Sequence, residues 1–105
     1  MSKVTKKEKK CTERLFKLLF LSSRGGLTRS RIIGALSISP MNAHQISVRL
    51  GIDYKTVLHH LKVLEDNDII IKEGDGYGST YRLSTFFNTQ KEIYEELINE
   101  KQIQG

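Results

Sequence analysis

Residues 43–66, AHQISVRLGIDYKTVLHHLKVLED, decide how the chain folds. Apolar side chains fall at Ile46 and Leu50, at Ile52, and at Val57, Leu61 and Leu64. The first pair lies one helical turn apart. The last three stand at i, i+4 and i+7 and line one face of a second helix. Gly51 sits between the two, where a helix C-terminus calls for a residue tolerant of positive φ. Asp53 is placed to cap the second helix, its carboxylate accepting from the amide of Lys55 or Thr56. Two short helices with a tight turn make a helix-turn-helix, whose second helix fits a DNA major groove.

The same spacing says what remains outside. With Val57, Leu61 and Leu64 inward, Tyr54, Lys55, Leu58, His59 and Lys62 point outward. Donors, cations and an apolar tip suit base edges, thymine methyls and phosphates. A solvated face is the plain alternative, since any short helix offers one. Leu58 weighs mildly against it, although a single exposed leucine is common.

Working outward, the 105 residues suffice for one small domain with one core. A hydrophobic content of 38% with 28% charged residues marks a globular chain. The net charge is +5 and the pI about 9.4. That charge is uneven. Residues 1–31 hold ten Lys/Arg against two Asp/Glu, and residues 32–105 hold seven against ten, so +8 stands beside −3. The excess lies in the N-terminal third and favours a polyanionic partner, nucleic acid or an acidic lipid surface. The lone cysteine, Cys11, can form neither an internal disulfide nor a thiolate zinc site by itself, and its expected role is incidental. It suits a cytoplasmic setting. The apolar run Leu18 to Leu21 is too short for a membrane span, so no membrane partner is expected.

Three parts follow. Residues 1–24 hold a lysine-rich arm, Met1 to Lys10, then a helix over Cys11 to Ser22 with Leu15, Leu18 and Leu19 on one face and Phe16 and Phe20 beside it. So apolar a helix needs a cover, from its own domain or from a second copy. Residues 25–84 hold the central domain. Arg24-Gly25-Gly26 breaks the first helix, and Thr28 is the expected cap of the next, with Ile32, Ile33 and Leu36 inward. Arg29 and Arg31 lie in its cation-averse first turn, calling for an anionic partner or solvent. Asn42 and Gln45 form a capping arrangement. His44 reads as a surface residue. Beyond the second helix, Ile69 to Lys72 and Ser79 to Leu83 form a hairpin with Gly74, Gly76 and Gly78 at its tip. No helix follows those glycines directly, so a mobile turn is preferred to a phosphate-binding loop. Residues 85–105 form a last helix with Phe86, Ile93 and Leu97 on one face, suited to a dimer seam.

Helices with a helix-turn-helix and a hairpin make a winged helix: mainly α, with a small β wing and extra terminal helices. MNAHQISVRLGIDYKTVLHHLKVLEDNDII, with YRLS downstream, resembles the archaeal and bacterial ArsR-like winged-helix transcriptional regulators, the archaeal members in particular. The likeness covers about Thr28 to Ser84. It implies a homodimer that binds double-stranded DNA and controls transcription. It implies that Lys55, Thr56, Leu58, His59 and Lys62, with Tyr54, face the groove. It puts the wing, with Gly76, Tyr77, Ser79 and Arg82, on backbone or minor groove. It pairs subunits through the terminal helices, where Leu15, Leu18, Phe20, Ile93 and Leu97 are the apolar candidates. His60 falls where such helices are half buried and reads as a core histidine.

Two departures stand out. The paired cysteines or final-helix ligands of metal-sensing members are absent, and His59 and His60 point apart, so no metal or cofactor is expected. Asn67-Asp68 replaces the usual glycine after the second helix, a turn that Asn tolerates. No nucleophile–base set or buried carboxylate pair suggests an enzyme. The competing function is a protein-docking module that uses the apolar terminal helices. The sequence names no effector.

Overall fold

A residue before proline avoids helical backbone, and Ser39, extended ahead of Pro40, ends a helix there. The computed structural model describes residues 5–22 and 24–104, except the side chains of Tyr77 and 101–104. In order it contains α1 (Lys6–Phe16), a π-helical turn (Lys17–Ser22), α2 (Gly26–Ile38), β1 (Met41–Asn42), α3 (Ala43–Leu50) and α4 (Tyr54–Asp66). Then come β2 (Ile70–Glu73), a 3₁₀ turn (Gly76–Gly78), β3 (Thr80–Leu83), α5 (Thr85–Thr89) and α6 (Lys91–Gln104). This is the expected winged helix-turn-helix with flanking helices.

The local signals of the central stretch act as read. Asn42 Oδ1 accepts from the amide of Gln45, and Gln45 Oε1 accepts from the amide of Asn42, each at 2.8 Å. Gly51 closes α3 at φ 66°. Asp53 accepts from the amides of Lys55 and Thr56 at the start of α4.

Other boundaries differ. Thr5 caps α1 through the amide of Glu8, so Lys6, Lys7, Lys9 and Lys10 ride on a helix rather than on an arm. Lys3 lies outside the described residues. Gly25, not Thr28, holds the N-cap position of α2. The expected last helix is two, broken at Gln90. After α4 the left-handed residue is Asp68, at φ 60°, while Asn67 keeps φ −102° and ends the helix. The hairpin gains a third strand, giving the antiparallel order β1-β3-β2. Met41 pairs with Tyr81 and Asn42 with Thr80, while Ile70 pairs with Leu83. Two residues carry no visible alternation, so β1 left no trace in the hydrophobic pattern.

One core runs through the molecule. Ile32 and Ile33 of α2, Ile46 of α3, Val57, Leu61 and Leu64 of α4, and Ile69 and Ile70 beside the sheet are all buried. At the terminal end Phe16, Phe20, Phe87 and Tyr94 stack edge to face or tilted, with Phe20 and Tyr94 centroids 4.9 Å apart. The π-helical turn Lys17–Ser22 supplies Phe20 to this cluster. It fits one more residue into the turn than an α-helix would, and both Leu19 and Phe20 reach the core while Leu18 stays out. Gly26 then allows α2 to start against that turn, because a Cβ there would strike the Phe20 carbonyl oxygen.

Candidate nucleic-acid interface

The outer face of α4 carries Tyr54, Lys55, Thr56, Leu58, His59 and Lys62, all exposed. The structure thus brings the six helix residues together on one surface. Leu58 is 37% exposed, enough for an apolar contact. Lys62 Nζ donates to Asp66 Oδ1 at 2.9 Å, one turn on. That hydrogen bond, and then the attraction of the carboxylate, raise the Lys62 ammonium above its ordinary pKa. It remains a cation, but it must leave Asp66 to meet a phosphate.

The inner side of the same helix is held by residues that periodicity could not place. The Arg31 guanidinium donates to the Leu50 carbonyl at 2.9 Å and satisfies the C-terminus of α3. Ser47 Oγ donates to the Ile52 carbonyl at 2.6 Å and braces the turn. Arg29 is buried, 6% exposed, so it is not the solvated cation that was one of the two expectations. Its Nε donates to the Leu19 carbonyl at 2.8 Å, and its Nη1 lies 3.1 Å from His60 Nδ1. A guanidinium has no acceptor, so Nδ1 accepts and His60 is the neutral, Nε2-protonated ring. His60 is 7% exposed, deeper than half buried. Burial first, then Arg29, then His59 hold it below its ordinary pKa. Burial likewise lowers that of Arg29.

The remaining candidates lie on the hairpin. Gly76 turns at φ 69°, and Arg82 lies on β3 with Nε donating to Glu73 Oε1 across the hairpin at 2.9 Å. Tyr77 has a side chain outside those described. Ser79 corrects the reading. It is buried, and its Oγ has no hydrogen-bond partner among the described residues. It stands just before β3, where its side chain turns under the wing rather than toward solvent.

The apolar set of the terminal helices is divided as well. Phe20, Ile93 and Leu97 are buried within one chain. They serve the aromatic end of the core and cannot be a bare seam. Leu15 is half buried, and Leu18 is 59% exposed. Near them an open groove of about 450 Å³ runs between α1 and α5, lined by Leu15, Phe86, Cys11 and Gln90 among others. Cys11 is exposed and free. Among the described residues no three His, Cys, Asp or Glu gather to hold a metal ion, and no helix is long and apolar enough to cross a membrane.

Residues 27–72 match the family described as bacterial regulatory protein, arsR family. No curated protein matches the chain. Among solved structures, reduced HlyU from Vibrio cholerae N16961 superposes with a TM-score of 0.61 at 16% identity, covering 92% of this chain and 94% of that one. The transcriptional repressor BigR from Xylella fastidiosa gives 0.60 at 21% identity, covering 87% and 92%. The adhesin competence repressor AdcR from Streptococcus pyogenes gives 0.57 at 20% identity, covering 95% and 76%. Identities this low speak for the fold. They show the winged helix-turn-helix fold, and within it residues 27–72 are similar to the arsR family.

Proposed function

We propose, from the arsR-type helix-turn-helix in residues 27–72, that the chain is a sequence-specific regulator of transcription that binds double-stranded DNA as a homodimer. In this reading α4 enters the major groove, and Gly76 and Arg82 bring the wing to the backbone or minor groove. One observation carries the reading. Tyr54, Lys55, Thr56, Leu58, His59 and Lys62 share the open side of a helix whose other side is fixed by Val57, Leu61 and Leu64. A rigid helix with exposed donors and cations is what base-edge recognition needs. Gly76 and Arg82 are exposed and half buried respectively, which leaves both within reach of a ligand.

The dimer reading is narrower than the apolar pattern suggested. Leu18, Leu15 and Phe86 with the groove beside α1 are the surface we assign to a second copy, and Phe20, Ile93 and Leu97 support it from beneath. The same surface suits the competing reading, a module that docks another protein. Selection of bound DNA from random duplexes, followed by salt titration on the winner, separates the two. Enrichment of a site with a two-fold repeat, with affinity that falls as salt rises, is expected. No enrichment over random DNA would leave the docking module as the better reading.

A further inference from the structure

Three elements meet at one buried guanidinium. Arg29 comes from the first turn of α2. It donates to the Leu19 carbonyl of the π-helical turn at 2.8 Å and to His60 Nδ1 of α4 at 3.1 Å. Both side chains of the Arg29–His60 contact are buried. Glycine makes the room, since a Cβ on Gly25 would lie 2.5 Å from His60 Cε1 and 2.6 Å from Arg29 Nη1. His60 adjoins His59, which stands on the face assigned to DNA. The rings of the two are 5.1 Å apart.

We propose that Arg29 and His60 are a positioning pair whose hydrogen bond fixes α4 against the π-helical turn, and that a proton added to His60 releases α4 and weakens DNA binding. This rests on the DNA-binding reading of α4.

The chemistry runs one way. A neutral His60 offers Nδ1 as an acceptor. A protonated ring has two donors and no acceptor, so an N–H would face the guanidinium and a second cation would be buried beside the first. Among the described residues, the charged groups that bear on the ring are Arg29 from α2 and His59 from α4 itself, and both disfavour the proton. The π-helical turn contributes the Leu19 carbonyl, which the Arg29 Nε occupies, and the turn before α2 contributes Gly25. The pKa of His60 is lowered in the folded chain, so the stability it supplies is fully present above the ordinary histidine value of about 6.5. It is lost as pH falls from there through the lowered value. His59 is present both in wild type and in a His60 variant, so its own contribution cancels between them. A variant that silences His60 alone therefore isolates the pair.

The test uses the full chain, and His60→Asn is the informative variant. The Asn amide oxygen stands near the place of Nδ1, can accept from Arg29, and cannot take a proton. Nitrogen-detected NMR on the free wild type reads the ring directly. Duplex affinity from about pH 7.5 to about pH 5 reads the consequence, and circular dichroism confirms helix content at each point. The expected result is an Nε2-protonated ring at neutral pH that titrates below about 6.5. Over that range wild type should lose affinity several-fold relative to His60→Asn. A proton on Nδ1 at neutral pH, or parallel profiles for the two proteins, overturns the proposal. Should His60→Asn fail to fold, the wild-type ring titration still decides against the pair if it lies at or above the ordinary value. If the ring behaves as expected but no duplex is bound at neutral pH, the DNA-binding reading falls and takes the affinity claim with it.

Discussion

His59 and Lys62 sit one turn apart on α4 but are unequal. His59 has no ion-pair partner among the described residues, whereas Lys62 is already engaged by Asp66. His59→Ala should cost roughly 1–3 kcal/mol on the preferred duplex if it makes a base contact, and much less on random DNA. Asp66→Asn should strengthen binding to both, because it frees a cation that otherwise has to change partners. Anisotropy titrations on the two duplexes measure each, and weakened binding by Asp66→Asn would show that the pair orients Lys62 rather than competing for it. Gly26→Ala should destabilise the fold by about 1–3 kcal/mol or more, since the atom its Cβ would strike is backbone, the Phe20 carbonyl oxygen. Urea unfolding reads that cost. The residues that could be placed from sequence are those whose partners are near. Asn42 and Gln45, or Asp53 and Thr56, are three positions apart. Arg29 reaches 10 positions back and 31 forward, and Arg31 reaches 19. No local pattern encodes such distances, so Arg29 looked like surface charge, and the reach of Arg31, which is exposed, to Leu50 was not legible.

At the level of elements, periodicity located the helices and missed what interrupts them. Nothing in KLLFLS announces a π-helical turn, which carries neither glycine nor proline. Gln90 breaks the last helix without glycine or proline, and Ser84 starts α5 by accepting from the amide of Phe87. The basic N-terminus changes meaning too. Lys6, Lys7, Lys9 and Lys10 lie on α1, whose cap is Thr5. Deleting residues 1–10 would remove that cap, so charge is better tested by replacing these four lysines with glutamine. The variant should bind specific and random duplexes more weakly by similar factors, and its salt slope should fall by about one for each phosphate the lysines had neutralised. An unchanged slope would mean that α1 points its lysines away from DNA.

On the scale of the molecule, the terminal helices close the core at one end, leave Leu18 exposed and frame the groove between α1 and α5. Sedimentation at micromolar concentration should find a dimer for the wild type and a folded monomer for Leu18→Glu. A folded wild-type monomer would end the dimer reading. The division of the apolar residues was not visible in sequence, since a face that packs on its own chain and one that packs on a partner have the same period. The short strand β1 has a different consequence. Asn42 is both its second residue, paired with Thr80 of the wing, and the cap of α3. The wing and the helix-turn-helix are therefore geared together as one lever. In the DNA-binding reading, a phosphate that pulled on the wing would pull on the cap of α3 as well, and the two proposed grips on a duplex would not be hinged independently. A ligand that seizes one finds the other already aimed, so ordering is charged against association once instead of twice.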